Sequence, residues 1–382
     1  MYLKFLNPII LEIKKKSNAN LFIYFNYSQS RDRGKWRDFP FLDSFNFEHE
    51  ESVNKRLFFN NLDLEKSLFD EKIDIVYSLL PYNKFNIEKK KLPNTKWYLV
   101  QHGIDLFWDI EDIVYCDLIY LYSDYWKSKV QNLLEEKKVK FDLNKIRVSG
   151  NPQFNIQINK SEVRKKYNIP KNKKILIFFP FSQPNAYPFE HKLKSYFVKN
   201  FIIYPNTGNL LNSLKRQCYY FLGFFLSNEI KILTKIYEFC KKNDYFLIIK
   251  SRSKRVLNDD FKIISDLVLY DEQLYPSTII ELLSIADQSI GFISTIPGEA
   301  SFAECYNYSI FNNFFKKIQN RYLKFFDINY FDFNGVNEVI NVKSLFKNLN
   351  KNQLKKINLS QNDLFLKKYF NYKSKNNSDW EY

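Results

Sequence analysis

Short runs of apolar, β-branched and aromatic residues recur along this chain, separated by stretches with helical patterning. They occupy residues 21–25, 73–79, 97–101, 118–122 and 146–149, then 174–179, 245–250, 267–270, 289–293, 309–312 and 338–342. A strand with one wet face alternates apolar and polar residues, whereas these runs are close to continuously apolar. Strands of that kind are covered on both faces, and their alternation with helices predicts an α/β fold built on parallel sheets. A chain of 382 residues is long enough for two such domains.

The break between them is expected at Gly150-Asn151-Pro152, where a strand ends and a turn tripeptide precedes a new helix and strand. The resulting division is 1–155 and 156–350, followed by a tail over 351–382 that is helical near 363–370 and packs back on the first domain. Thr278 with Glu281 has capping-box spacing ahead of an apolar run, Ser161 with Arg164 is a weaker cap, and 231–242 reads as a helix. The aromatic-rich stretch 185–228 is the least regular. Its run from Cys218 to Leu226 reads as a core helix or as an amphipathic insertion facing a membrane.

Hydrophobic residues make up 45% of the chain and charged residues 26%, which suits folded cores and argues against general disorder. The formal net charge of +16 favours anionic partners: nucleotide phosphates, an acidic membrane surface or nucleic acid. Part of that charge reflects a chain-wide bias toward Lys, Asn, Ile, Phe and Tyr. Cys116, Cys218, Cys240 and Cys305 form no CxxC pair and no zinc spacing, so buried thiols in a reducing compartment are expected. The N-terminal MYLKFLNPIILEIKKK lacks a small-residue cleavage site, and no run reaches the ~20 apolar residues of a membrane span. A cytoplasmic protein is the expectation.

The segment Ile285–Asn312, IADQSIGFISTIPGEASFAECYNYSIFN, reads as strand, Ser-Thr turn, helix and strand. Ser294 and Thr295 are placed to cap the helix, whose orphan N–H groups and dipole attract an anion. Pro297 and Gly298 suit a first turn. Glu299 lies at the helix start, where a carboxylate accepts hydrogen bonds from vicinal ribose hydroxyls. The alternative is that it only complements the helix dipole.

His102, in Gln101-His102-Gly103, follows a strand directly and stands where open α/β sheets place ligands. A neutral imidazole there accepts a proton from an attacking hydroxyl, or else merely bonds local backbone. Asp105, Asp109 and Glu111 are alternative bases. Lys250 ends a strand and suits a diphosphate, although basic loops are common in this chain; Ser182 and Gln183 line the same crevice. No GxGxxG, P-loop, HExxH or Ser-His-Asp spacing occurs, and no DxD pair follows a strand, so no metal site is expected.

These motifs together (QHG after a strand, SGNPQF at the junction, ADQSIGFISTIPGEA in the second half) resemble GT-B-fold glycosyltransferases. The nearest are bacterial surface-polysaccharide enzymes, the CDP-glycerol glycerophosphotransferase-like and capsule-type transferases. The resemblance spans most of 95–315 as scattered motifs. It implies two Rossmann-like domains facing a cleft and an inverting, metal-independent transfer, with no cofactor beyond the nucleotide-activated sugar as co-substrate. His102 would be the base, Lys250, Ser294 and Thr295 would meet the donor phosphates, and Glu299 the donor ribose. The acceptor would be a glycan or lipid-linked, with peripheral contact to the inner face of an acidic membrane. Lys250-Ser251-Arg252 stands where the family tends to carry His-Pro, Gln153 and Asn155 where Arg and Asp are commoner, and the glycine-rich loop of many first domains is missing. The donor nucleotide is therefore left open.

Two other readings compete with transfer. A nucleotide-sugar 2-epimerase on the same architecture would need more catalytic acids and histidines than this chain offers. A non-catalytic basic protein binding nucleic acid or membrane fits the charge, yet no helix-turn-helix, RRM, KH or zinc motif supports nucleic acid.

Overall fold

The computed structural model describes residues 3–26, 53–103, 110–180, 229–251, 257–270, 276–311 and 327–372. The expectations for 185–228, Ser182, Gln183, Asp105, Asp109, Arg252 and Cys218 fall outside these residues. The chain divides into two units, Met1–Ile156 with Leu366–Tyr382, and Gln157–Phe365. Both are α/β, and every strand pair among the described residues is parallel.

Unit 1 opens on helix α1 (Leu3–Lys16), which Pro8 conceals in the sequence. Ile9 and Ile13, one turn apart, are buried in a cluster with Tyr98, Val100, Leu118 and Tyr120. Strand β1 (Leu21–Asn26) pairs with β2 (Val53–Phe58), with Leu21 opposite Val53. The β2 sequence, VNKRLF, has no continuous apolar run, and sequence patterning missed it for that reason. After α2 (Asn61–Asp70) come β3 (Ile75–Ser78), β4 (Lys96–Val100), β5 (Leu118–Leu121), α3 (Asp124–Glu136) and β6 (Ile146–Val148). The last four strands form one sheet in chain order, and β1-β2 a second. Gly150, at φ +78, makes the turn after β6, and the Asn151 side chain accepts from Gln153 N at 3.1 Å.

Glu65 on α2 is buried, where a carboxylate needs partners. One oxygen accepts from Lys91 Nζ at 2.9 Å and the other from Glu88 N at 3.0 Å. The Lys91 hydrogen bond, then the Glu88 N–H, hold its pKa below the usual carboxylate value. A lowered folded pKa contributes stability above the unfolded value of about 4.3, and that stability is lost as pH falls through the lowered one. Trp97 and Trp126 are buried in unit 1, and unit 2 has no tryptophan in its sequence, so tryptophan emission reports on the unfolding of unit 1. Urea midpoints followed this way should drop more steeply below about pH 4.5 in the wild type than in Glu65→Gln. Parallel pH curves would assign the acid sensitivity to other carboxylates.

Unit 2 contains α4 (Lys160–Lys166), β7 (Lys174–Phe179), α5 (Glu229–Lys242), β8 (Tyr245–Lys250), α6 (Asp259–Ile263), β9 (Leu267–Leu269) and α7 (Thr278–Ile285). It continues with β10 (Gln288–Phe292), α8 (Ile296–Phe302), β11 (Tyr306–Phe311), α9 (Ile328–Phe331), β12 (Asn337–Asn341) and α10 (Val342–Asn350). Its six strands run in the order β12-β11-β10-β7-β8-β9. Side chains alternate across this sheet with period two. Leu176, Phe178, Leu247, Ile249 and Ile290 face a core shared with α5 and α10. Ile175, Ile177, Phe179 and Ile248 face the opposite core, with α7 and α8.

Three local expectations shift. The cap of α7 is Ser277, whose extended backbone lets its hydroxyl accept from Ile280 N at 3.4 Å. Glu281 instead accepts from Lys166 Nζ at 2.8 Å and Tyr167 Oη at 2.7 Å, so the Thr278–Glu281 box does not form. The cap of α4 is Asn159, not Ser161: its carbonyl oxygen accepts from Ser161 N and Glu162 N. Strand β11 starts at Tyr306, three residues before the run expected from the sequence, because Asn307 interrupts the apolar pattern. Asn307 is nonetheless buried, accepting from Ser289 Oγ at 2.9 Å and donating to Ser309 Oγ at 3.1 Å.

Helix α11 (Leu359–Phe370) begins in unit 2 and ends in unit 1. In unit 2, Asn362 donates to the Ser301 carbonyl at 3.0 Å. In unit 1, Trp126 Nε1 donates to the Tyr369 carbonyl at 2.7 Å, and the Phe370 ring lies 4.9 Å from that of Phe154. Cys116, Cys240 and Cys305 are buried free thiols, and burial pushes the pKa of each upward, which makes them unreactive.

Candidate functional site

The strand order of unit 2 creates a topological switch point. From β7 the chain moves outward through β8 and β9, then returns to the other side of β7 with β10. The helices α5 and α8, which follow β7 and β10 in the chain, pack on opposite faces of the sheet, and open parallel sheets bind ligands at the carboxyl ends of such a strand pair. The two strands approach closely there: a Cβ on Gly291 would stand 3.0 Å from Phe179 Cβ, tighter than ordinary contact, so a larger residue would have to push the neighbour aside.

The residues after β10 are those singled out from the sequence. Ser294 Oγ accepts from Ile296 N at 3.5 Å, a long cap. Thr295 does not cap as expected; its backbone is helical, φ −79 and ψ −2, so its hydroxyl cannot reach back to the first turn. Pro297 lies in the first turn, where the missing N–H is harmless. Glu299 is buried.

A residue that sequence reading missed completes this corner. Tyr330, on α9, is buried and its hydroxyl donates to the Thr295 carbonyl at 3.3 Å. Burial first, then the Glu299 carboxylate beside it, push its pKa well above the ordinary phenol value, while the Gly298 N–H facing its oxygen opposes this. The phenol thus stays protonated and occupies part of the first-turn N–H array of α8. No local motif marks Tyr330, which lies 31 residues beyond Glu299 in the chain.

Lys250 ends β8 on the same edge of the sheet. By strand parity it shares a face with Ile248, and thus with the α7 and α8 side. It is buried, and its Nζ donates to the Ser251 carbonyl. With only β7 between β10 and β8, strand spacing puts the ends of those two strands about 10 Å apart, a span suited to a diphosphate and its ribose.

His102 belongs to unit 1, two residues beyond the end of β4. The side chain of Gln101 next to it is fully buried and bridges two elements: Oε1 accepts from Tyr122 N at 2.8 Å, and Nε2 donates to the Gly103 carbonyl at 3.0 Å. Gly103, at φ 128, makes the bend. His102 thus stands at a strand's carboxyl end, in a turn that the Gln101 side chain fixes. Glu111, one of the alternative bases, is tied to Lys137, which holds its pKa below the ordinary value and makes it a poor proton acceptor. Ser294, Thr295, Glu299 and Lys250 therefore gather on one edge of unit 2, and His102 stands on the corresponding edge of a unit 1 strand. Among the described residues no group of His, Cys, Asp and Glu is arranged to hold a metal ion, and no helix is long and apolar enough to cross a membrane.

No protein-family model matches the chain, and no curated protein matches its sequence. Solved structures do match it. A variant of the wall teichoic acid polymerase TagF is similar at a TM-score of 0.54 and 15% identity, over 97% of this chain and 92% of that one. A TagF variant soaked with CDPG gives 0.53 and 13%, over 96% and 81%. A Listeria monocytogenes protein described as a UDP-N-acetylglucosamine 2-epimerase gives 0.50 and 10%, over 96% and 89%. These proteins share the GT-B fold, and at such identities the likeness establishes that fold for this chain.

Proposed function

We propose that the protein is a glycosyltransferase that moves a sugar, or a polyol-phosphate group, from a nucleotide-activated donor to a surface-polysaccharide or lipid-linked acceptor. The observation that carries this reading is the β10–α8 segment at the switch point of unit 2, with Glu299 in the first turn and Lys250 on the same edge. Glu299 takes the donor ribose hydroxyls. Lys250, Ser294 and Thr295 meet the donor phosphates and stabilise charge as it develops on the leaving group. His102 accepts the proton of the acceptor hydroxyl as its oxygen forms the new bond, and the nucleotide departs with the electrons of the bond it loses. For a sugar donor, direct attack inverts the anomeric centre, and lysine and N–H groups supply the charge stabilisation without a metal. A lipid-linked acceptor places the protein at the inner face of an acidic membrane.

A panel of nucleotides and nucleotide sugars tests the donor half. A ligand at about 100 times its Kd adds about 2.7 kcal/mol, which raises the melting midpoint of a unit this size by roughly 5–10 °C. Glu299→Ala should abolish the shift. A panel in which no nucleotide sugar moves the midpoint would remove the basis of the proposal. Incubating the bound nucleotide sugar without acceptor then separates the second reading that the shared fold carries, since an epimerised product identifies a 2-epimerase.

A further inference from the structure

One face of unit 2 has a charge pattern that transfer chemistry does not use. Helices α5 and α10 pack side by side over the sheet and bury Ile232, Leu233, Ile236, Leu345 and Leu349. Their outer sides carry lysine. Lys343 and Lys347 are one turn apart and exposed, Lys351 follows at the helix end, and Lys231 and Lys242 are exposed on α5. From Val342 to Asn362 the chain contains five lysines and no Asp or Glu, so this stretch cannot neutralise itself.

Nor do neighbours neutralise it. Glu238 pairs with Lys235 at 2.5 Å and Glu338 with Lys355 at 2.7 Å. Among the described residues no carboxylate lies in ion-pair range of Lys231, Lys242, Lys343, Lys347, Lys351 or Lys356. Other lysines of the chain do meet acids: in unit 1, Lys84, Lys89 and Lys91 each pair with one.

We propose that the α5/α10 face docks on an anionic lipid bilayer. The surface is a layer of two helices carrying flexible lysines, which suits a plane of phosphate headgroups. Nucleic acid is less suited. Neither helix contains an arginine for bidentate phosphate or base contacts, and Tyr237 and Phe346, the aromatics on their outer flanks, are partly buried against the core. The inference does not rest on the transferase reading.

Co-sedimentation of the full chain with phosphatidylglycerol/phosphatidylcholine vesicles tests it. Each lysine near an acidic surface is worth about five-fold in partition, so Lys343→Gln, Lys347→Gln and Lys351→Gln together should weaken binding by about 100-fold. The same charge removed from unit 1, by Lys138→Gln, Lys140→Gln and Lys145→Gln, should have little effect, and wild-type binding should fall with added salt. Should the triple variant fail to fold, each single substitution still carries its own five-fold prediction. Equal losses in both triples, equal binding to pure phosphatidylcholine, or tight oligonucleotide binding without vesicle binding would each overturn the proposal.

Discussion

Phe178→Ala is expected to destabilise unit 2 by about 3–5 kcal/mol, the cost of emptying a fully buried aromatic site. Phe178 is completely buried on β7, which has neighbours on both sides, β10 and β8. Its ring meets Phe292 at 6.1 Å with the planes 71° apart, an edge-to-face contact that alanine cannot replace. Strand pairing locks the backbone on both sides, so the cavity cannot close by local collapse. Tryptophan emission does not report on this unit, because residues 157–365 contain no tryptophan. The buried thiol of Cys240 does. Its labelling rate, read by mass spectrometry, should rise by roughly 200- to 5,000-fold where opening is reversible, following the increased unfolded fraction. An unchanged rate would mean that the site repacks and that β7 is not the keystone of this sheet.

His102→Ala should lower the rate of transfer by about 10²- to 10⁴-fold, the range for a lost general base. Donor binding, read as the thermal shift, should persist, because Lys250 and Glu299 remain. A variant that retains the wild-type rate sinks the assignment.

Much of this architecture is legible locally. The runs at 174–179 and 245–250 are strands with those bounds, because a strand covered on both faces needs no polar alternation and is visible as one apolar block. Strands that depart from this were missed or shortened. VNKRLF in β2 mixes Asn, Lys and Arg into a parallel pair, and β11 hides Asn307 within a buried polar ladder. Caps shifted by one or two residues, since Ser, Thr and Asn lie close together and only the backbone angles decide which one accepts. Ser294, Lys250 and His102 stand at or just beyond strand ends, a placement legible in the sequence because they follow apolar runs directly. Tyr330 and the bridging role of Gln101 are not, because their partners are distant in the chain.

The sequence by itself determined most of the strands, the parallel α/β class, the turn at Gly150 and the residues standing at strand ends. These depend on burial periodicity and turn chemistry, which act over a few residues. Only the tertiary structure decided that β10 lies beside β7, that Thr295 cannot cap, that Tyr330 stands against Glu299, and that the lysines of α5 and α10 share one face. Apart from the Thr295 backbone, each of these joins segments far apart in sequence. Their encounter is set by how helices cross the sheet and fill its two cores, and no local pattern encodes that.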